Sequence, residues 1–172
     1  MFLLENLDTR IYTAHEKVSS YRQRGVQTKI TKTVMDESGE NKIRKIVDER
    51  CGFLNYAQRA HIINQVLEKR KEIISRFGPH FNISIGEIRE ACEKITAFYM
   101  APEIKSGLEE IMKRKGSRYL LPSPNDVKLL AECCFIRNSE NKKVILLTDD
   151  SHFTGFSSRI KKEFDIEIDS VV

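Results

Sequence analysis

The stretch Val144-Ile145-Leu146-Leu147-Thr148-Asp149-Asp150 decides how this chain is read. Its continuous apolar run is of the kind found in strands buried on both faces, and such strands belong to parallel sheets. Ligands of open α/β sheets gather beyond the carboxyl ends of the strands, and at that end this strand delivers two adjacent acids. Immediately upstream, Pro122-Ser123-Pro124-Asn125-Asp126 leads into a helix that Asn125 or Asp126 caps and that runs through Phe135 to a polar turn at 138–141. Because that helix must run antiparallel to the strand it precedes, Asp126 approaches the same edge. Each acid also has a plain structural explanation, Asp126 as a cap and Asp149 and Asp150 as turn formers or caps of the next helix. Taken together, several carboxylates in one place repel unless a cation joins them, and hard oxygen donors suit Mg²⁺ or Mn²⁺.

A short helix over 157–163 and a strand over 166–168 complete a β-α-β order downstream. Toward the N-terminus, Phe2-Leu3-Leu4 reads as a short buried strand, residues 9–23 as a helix that Gly25 ends, and residues 26–34 as a β-branched strand running into a turn or helix start. Apolar residues three or four apart predict a long amphipathic helix over 55–77, closed by Gly78-Pro79. Two more helices follow, one from Ser84 or Gly86 through Tyr99 with Ile88, Ala91, Cys92, Ile95 and Phe98 on one face, the other over 102–115 with Pro102 in its first turn. The economical architecture is one α/β domain over 1–172 with a helical insertion at about 52–116.

Length and composition agree with a single folded domain. The 172 residues and 19.9 kDa suffice for a substantial core, and 40% apolar with 31% charged residues excludes a disordered or low-complexity chain. No apolar run is long enough for a membrane helix, and Met1-Phe2-Leu3-Leu4-Glu5 reaches acid too early for a signal peptide, so a soluble cytoplasmic protein is expected. The four cysteines show neither disulfide nor zinc spacing. A formal charge of +4 is compatible with a polyanionic partner without demanding one.

Two segments carry a resemblance. Ser123-Pro124-Asn125-Asp126-Val127-Lys128-Leu129-Leu130-Ala131, followed by Val144 through Phe153, resembles the C-terminal half of a PIN domain. In that family an acid opens a helix of the form D-x-x-L-L-A, and a buried strand ends in T-N-D or T-D-D with an aromatic three residues after the last acid. Asp126, Asp150 and Phe153 match those positions, and the likeness covers roughly residues 123–169. At the other end, Leu7-Asp8-Thr9-Arg10 resembles the family's D-T-N motif with Arg10 in place of asparagine. Ile30 through Glu37 resembles the second acidic segment, with Glu37 in the acidic position. Glu5 is the other candidate for the first acid if the strand stops at Leu4. The 89 positions between Glu37 and Asp126 exceed the family's usual spacing.

The resemblance implies a three-layer α/β/α fold around a central, mostly parallel sheet. It also implies a Mg²⁺- or Mn²⁺-dependent endoribonuclease cleaving single-stranded RNA, either a toxin of a toxin and antitoxin pair or an RNA-processing enzyme. Asp8, Glu37, Asp126 and Asp150 would be the catalytic acids, with Asp149 a further metal ligand. The cation would acidify a water molecule and neutralise charge building on the phosphate, so no basic or nucleophilic side chain is required. His152 is then a surface or substrate-contact residue. RNA would be held by Lys69, Arg70 and Lys71 and by Lys113, Arg114, Lys115 and Arg118, although such runs are commonly solvated helix faces. Tyr119 and Phe153 are candidate stacking platforms or core residues. An antitoxin, another protein or a second copy of the chain are the implied protein partners. The irregular first motif supports an alternative, an inactive PIN-like domain that binds RNA or protein.

Overall fold

The computed structural model describes residues 2–77, 80–81, 83–115 and 121–171, the side chains of 2–11, 76–77, 80–81, 112 and 115 excepted. In chain order the elements are α1 (Phe2–Gln23), β1 (Ile30–Thr31), α2 (Lys32–Glu37), α3 (Glu40–Arg50), α4 (Tyr56–Phe77), β2 (His80–Phe81), α5 (Ile85–Met100), α6 (Pro102–Lys115), α7 (Pro124–Glu140), β3 (Val144–Leu147), α8 (Ser151–Thr154), α9 (Ser157–Phe164) and β4 (Ile166–Asp169). They divide into two compact units, Thr28–Asn82 and the remainder, Met1–Gln27 with Ile83–Val172. No helix among the described residues is long and apolar enough to cross a membrane.

The expected three-layer α/β/α arrangement around a central sheet does not form. The described chain is mostly helical, and its strand pairing is limited to two parallel two-stranded ladders, β1 with β2 and β3 with β4. Two local causes account for the missing strands. Leu3, Leu4, Leu7 and Ile11 recur at helical spacing among good helix formers, so the apolar triplet taken for a strand becomes the start of α1. The β-branched run after Gln27 keeps only two strand residues, because the Thr31 side chain accepts from the Val34 N–H at 3.4 Å and starts α2 there.

Within the 28–82 unit, α3 and α4 form a hairpin around Ile43, Val47 and Ile63, with Cys51, Ile62, Val66 and Leu67 packed against them. The parallel β1–β2 pair, Ile30 opposite His80 and Thr31 opposite Phe81, belongs to the same unit.

The larger unit is built on α5 and α7, which pack along each other. Ile88, Ile95 and Tyr99 of α5, Leu108 of α6, Leu130 of α7, Phe153, Ile160 and Ile166 are fully buried. Tyr99 completes the inward face of α5, eleven residues after Ile88 as a helix requires, and half-buried Phe98 beside it packs edge-on against Phe164. Cys133 and Cys134 are buried free thiols; burial raises both pKa values, that of Cys134 to about 11.

The β3–α8–α9–β4 segment closes a small parallel unit with Val144 opposite Ile166 and Leu147 opposite Asp169. Asn141 and Asp165 take left-handed conformations at the ends of α7 and α9, a backbone state in which Asn and Asp are enriched. Arg137 near the end of α7 reaches the Asp165 carboxylate with both Nε and an Nη atom, so the two helix ends are tied together.

At Gly155, between α8 and α9, space rather than backbone angle selects glycine. A Cβ there would lie 2.5 Å from the Ile111 Cδ1 and 2.8 Å from the Ser151 carbonyl oxygen. Gly155→Ala is therefore expected to cost about 1–3 kcal/mol through overpacking. A lower urea midpoint with an unchanged m value would show it, and an unchanged midpoint would mean that α6 does not press on this turn.

Candidate metal centre

Asp126 sits in the first turn of α7, and local chemistry holds it there. The Ser123 hydroxyl accepts from the Asp126 N–H at 3.2 Å, and Asp126 Oδ2 accepts from the Ser123 N–H at 2.7 Å. This reciprocal capping box makes Ser123 the cap, in place of the expected Asn125 or Asp126, with Pro124 at the following position.

Asp150 leaves β3 through Thr148, whose hydroxyl accepts from the Asp150 N–H at 3.1 Å. Its own carboxylate caps α8, Oδ1 accepting from the His152 N–H at 2.7 Å and lying 2.9 Å from His152 Nδ1. An ionised carboxylate only accepts, so Nδ1 carries the proton in this contact, and the imidazole fixes the orientation of Asp150. One ligand atom each from Asp126, Asp150 and His152 lie within 4.8 Å of one another.

Beneath this group lies Tyr99. Its hydroxyl donates to the His152 carbonyl at 2.8 Å, tying α5 to α8. Burial pushes the Tyr99 pKa up, and the nearby negative charges of Asp150 and Asp126 push it further, so the phenol stays neutral and remains a donor.

Asp149 turns elsewhere. Its Oδ1 accepts from the Ser170 hydroxyl at 3.0 Å and from the Val171 N–H at 2.9 Å, which anchors the chain beyond β4. Next to that anchor, Asp169 receives Tyr21 Oη at 2.8 Å and Lys17 Nζ at 3.2 Å from α1, and Lys17 also donates to the Ser170 carbonyl. These two acids hold structure together at the strand ends.

The other expected site residues are placed as follows. Glu37 ends α2 in the 28–82 unit and pairs with Lys42 at 2.8 Å. Asp8 and Glu5 fall within helix α1, at no strand end, and their side chains lie outside the described residues. Lys69 pairs with Glu72 at 3.5 Å, and Arg70 Nε donates to Ser38 at 3.2 Å, both in the 28–82 unit. Lys113 and Arg114 are exposed on α6, Arg114 3.5 Å from Glu110. Arg118 and Tyr119 lie outside the described residues, as does the Lys115 side chain. Phe153 is buried in the core and offers no face to a base.

Sequence reasoning missed the part played by His152, whose side chain is only 12% exposed, and by Tyr99. The spacing D-x-H after a strand was the available signal for the first, since an acid capping a short helix brings the second residue's ring back to its carboxylate. Tyr99 had no such signal, because its bond spans 53 residues. Comparison with protein-family models, with curated proteins and with solved structures finds no match for the chain.

Proposed function

We propose that the chain is a divalent-metal-dependent nuclease acting on single-stranded RNA, with Asp126 and Asp150 as the ligands of a Mg²⁺ or Mn²⁺ ion. The observation that carries this reading is the convergence of Asp126, Asp150 and His152 from two separate elements on the carboxyl end of β3. Two carboxylates are few ligands, and that is what Mg²⁺ at phosphate-processing sites takes, the rest of its shell being water and substrate phosphate. Ser123 holds Asp126 through the capping box, His152 holds Asp150 through Nδ1, and the neutral Tyr99 phenol holds the backbone that carries His152. When bound, the cation would supply Lewis acidity for water and neutralise charge developing on the phosphate.

Cleavage of a labelled single-stranded RNA is expected to require added Mn²⁺ or Mg²⁺ and to stop in excess chelator. Independently of cleavage, Mn²⁺ should raise the melting temperature, since a ligand that binds only the folded state stabilises it. Activity that persists in chelator would overturn the metal mechanism.

One observation favours a second reading, an inactive relative that binds RNA or protein. Only two acids join the cluster among the described residues, whereas three or four are implied by the resemblance, and Glu37 is paired with Lys42. A melting temperature indifferent to Mn²⁺, with no cleavage at any metal concentration, would favour it.

A further inference from the structure

Helix α1 carries an apolar seam along its length. Leu4, Leu7, Ile11, Ala14, Val18 and Tyr21 follow one another at alternating spacings of three and four residues, the a and d positions of three heptads. The helix has 22 residues and is about 33 Å long at the usual rise of about 1.5 Å per residue. None of residues 12–23 is buried, and among the described residues no other helix or strand packs along α1. Polar bonds tie its second half to the end of β4, where Lys17 and Tyr21 reach Asp169 and Lys17 also donates to the Ser170 carbonyl.

Helices in proteins are stabilised chiefly by packing an apolar face, and a narrow seam of this period fits a second helix. Glu5, Asp8 and Glu16 balance Arg10, Lys17 and Arg22, so α1 has no excess positive charge to draw it to nucleic acid or to an anionic membrane. The seam is complementary to itself in one direction only. Its larger aliphatic residues, Leu4, Leu7 and Ile11, occupy the first half, and Ala14, Val18 and Tyr21 the second. In opposite directions, two copies set Leu4 level with the second copy's Tyr21, Leu7 with its Val18 and Ile11 with its Ala14, so the smallest position meets a large one. In the same direction Ala14 would meet Ala14 and leave a hole. Charge agrees with volume. Asp8 and Arg22 both occupy e positions, which share one flank of an antiparallel pair, whereas a parallel pair brings Lys17 beside the second copy's Arg22. On the other antiparallel flank stand Arg10 and Lys17; Lys17 is paired with Asp169 of its own chain at 3.2 Å, and the repulsion that remains there is between the two copies of Arg10.

We infer that α1 is a self-association surface through which two copies of this chain pair as an antiparallel coiled coil. A two-fold interface requires a patch that matches itself when reversed, and α1 meets that condition in both residue size and charge. The surface is distinct from the candidate metal centre and does not rest on the nuclease reading.

The test is sedimentation equilibrium of the full-length chain over a range of concentrations, which should show a reversible dimer. Ile11→Asp sets an acid in the middle of the seam and is expected to weaken dimerisation about a hundredfold. Circular dichroism should show this variant folded, because no residue of α1 belongs to the described core. Asp8→Arg and Arg22→Asp should each weaken dimerisation about fivefold, since each turns two attractive contacts of the pair into repulsive ones. The Asp8→Arg/Arg22→Asp double variant rebuilds those contacts with the signs exchanged and should recover the affinity of the unmodified chain. A monomer at every concentration would overturn the inference and leave the seam to the helix of a different protein. A dimer that folded Ile11→Asp leaves intact would show that the copies meet elsewhere and overturn it equally. Tighter pairing in Arg22→Asp alone would overturn the antiparallel order. Failure of metal-dependent cleavage would overturn the nuclease reading and leave this one standing.

Discussion

Asp150→Asn is expected to bring metal-dependent cleavage to background, a loss on the order of a hundredfold or more, because it removes one of two charged ligands from the proposed centre. The fold should survive. Asn caps helices about as well as Asp, and its amide oxygen can still accept from the His152 N–H and Nδ1–H that Asp150 Oδ1 now receives. In metal-free buffer the variant should melt at or above the temperature of the unmodified chain, since one of two neighbouring carboxylates has been neutralised. Asp149→Asn is the control. Its amide oxygen can replace the Asp149 Oδ1 that holds Ser170 and Val171, so most activity should remain. The paired measurement is cleavage rate and metal-free melting temperature for both variants. An inactive Asp149→Asn beside an active Asp150→Asn would show that the wrong acid had been assigned to the metal.

Phe153→Ala is expected to have the largest effect on stability. Phe153 is 1% exposed and lies in α8, a helix of four residues that cannot sustain itself by backbone bonding alone. Deleting a buried phenylalanine side chain costs about 3–5 kcal/mol, which for a chain of this size lowers the melting temperature by roughly 10 °C. Loss of function should accompany it, because His152 precedes Phe153 directly and Asp150 takes its orientation from His152. Phe153→Leu, which keeps most of the buried volume, should cost far less and retain metal-dependent stabilisation. If Phe153→Ala melted within a degree or two of the unmodified chain, the ring would have to stand at the surface, and its role as a stacking platform would return.

These two expectations differ in how far the sequence alone could support them. That Asp126 and Asp150 share an edge was legible, because it follows from short-range signals: Pro-rich chain before a helix, a polar turn, and an apolar run too short for anything but a strand. That Asp149 is not beside them was half legible. Strand alternation says that adjacent side chains diverge, but only the folded chain shows that Asp149 meets Ser170 and Val171, more than twenty residues away.

By itself the sequence determined the helices whose apolar spacing and end signals agree, α4, α5, α6, α7 and α9, and the two four-residue strands β3 and β4. Each rests on residues within one turn or one strand of each other. Two further elements turned on local signals that compete with strand propensity, and the extent of the sheet turned on distant partners. Phe2-Leu3-Leu4 satisfies a strand and a helix equally well over three residues, and the continuation through Leu7 and Ile11 resolves it as helix α1. The β-branched run from Val26 has strand propensity throughout, yet a single side-chain cap from Thr31 ends its pairing after two residues. A sheet needs partners from distant segments, and where the partner is only His80–Phe81 the ladder stops, so a helical architecture forms where local propensity had suggested a layered one. The same physics governs the site. Carboxylates can be counted along a chain, and a D-x-H spacing lets a histidine ring return to one of them, but a phenol that supports the same turn comes from 53 residues away and only packing brings it within 3 Å.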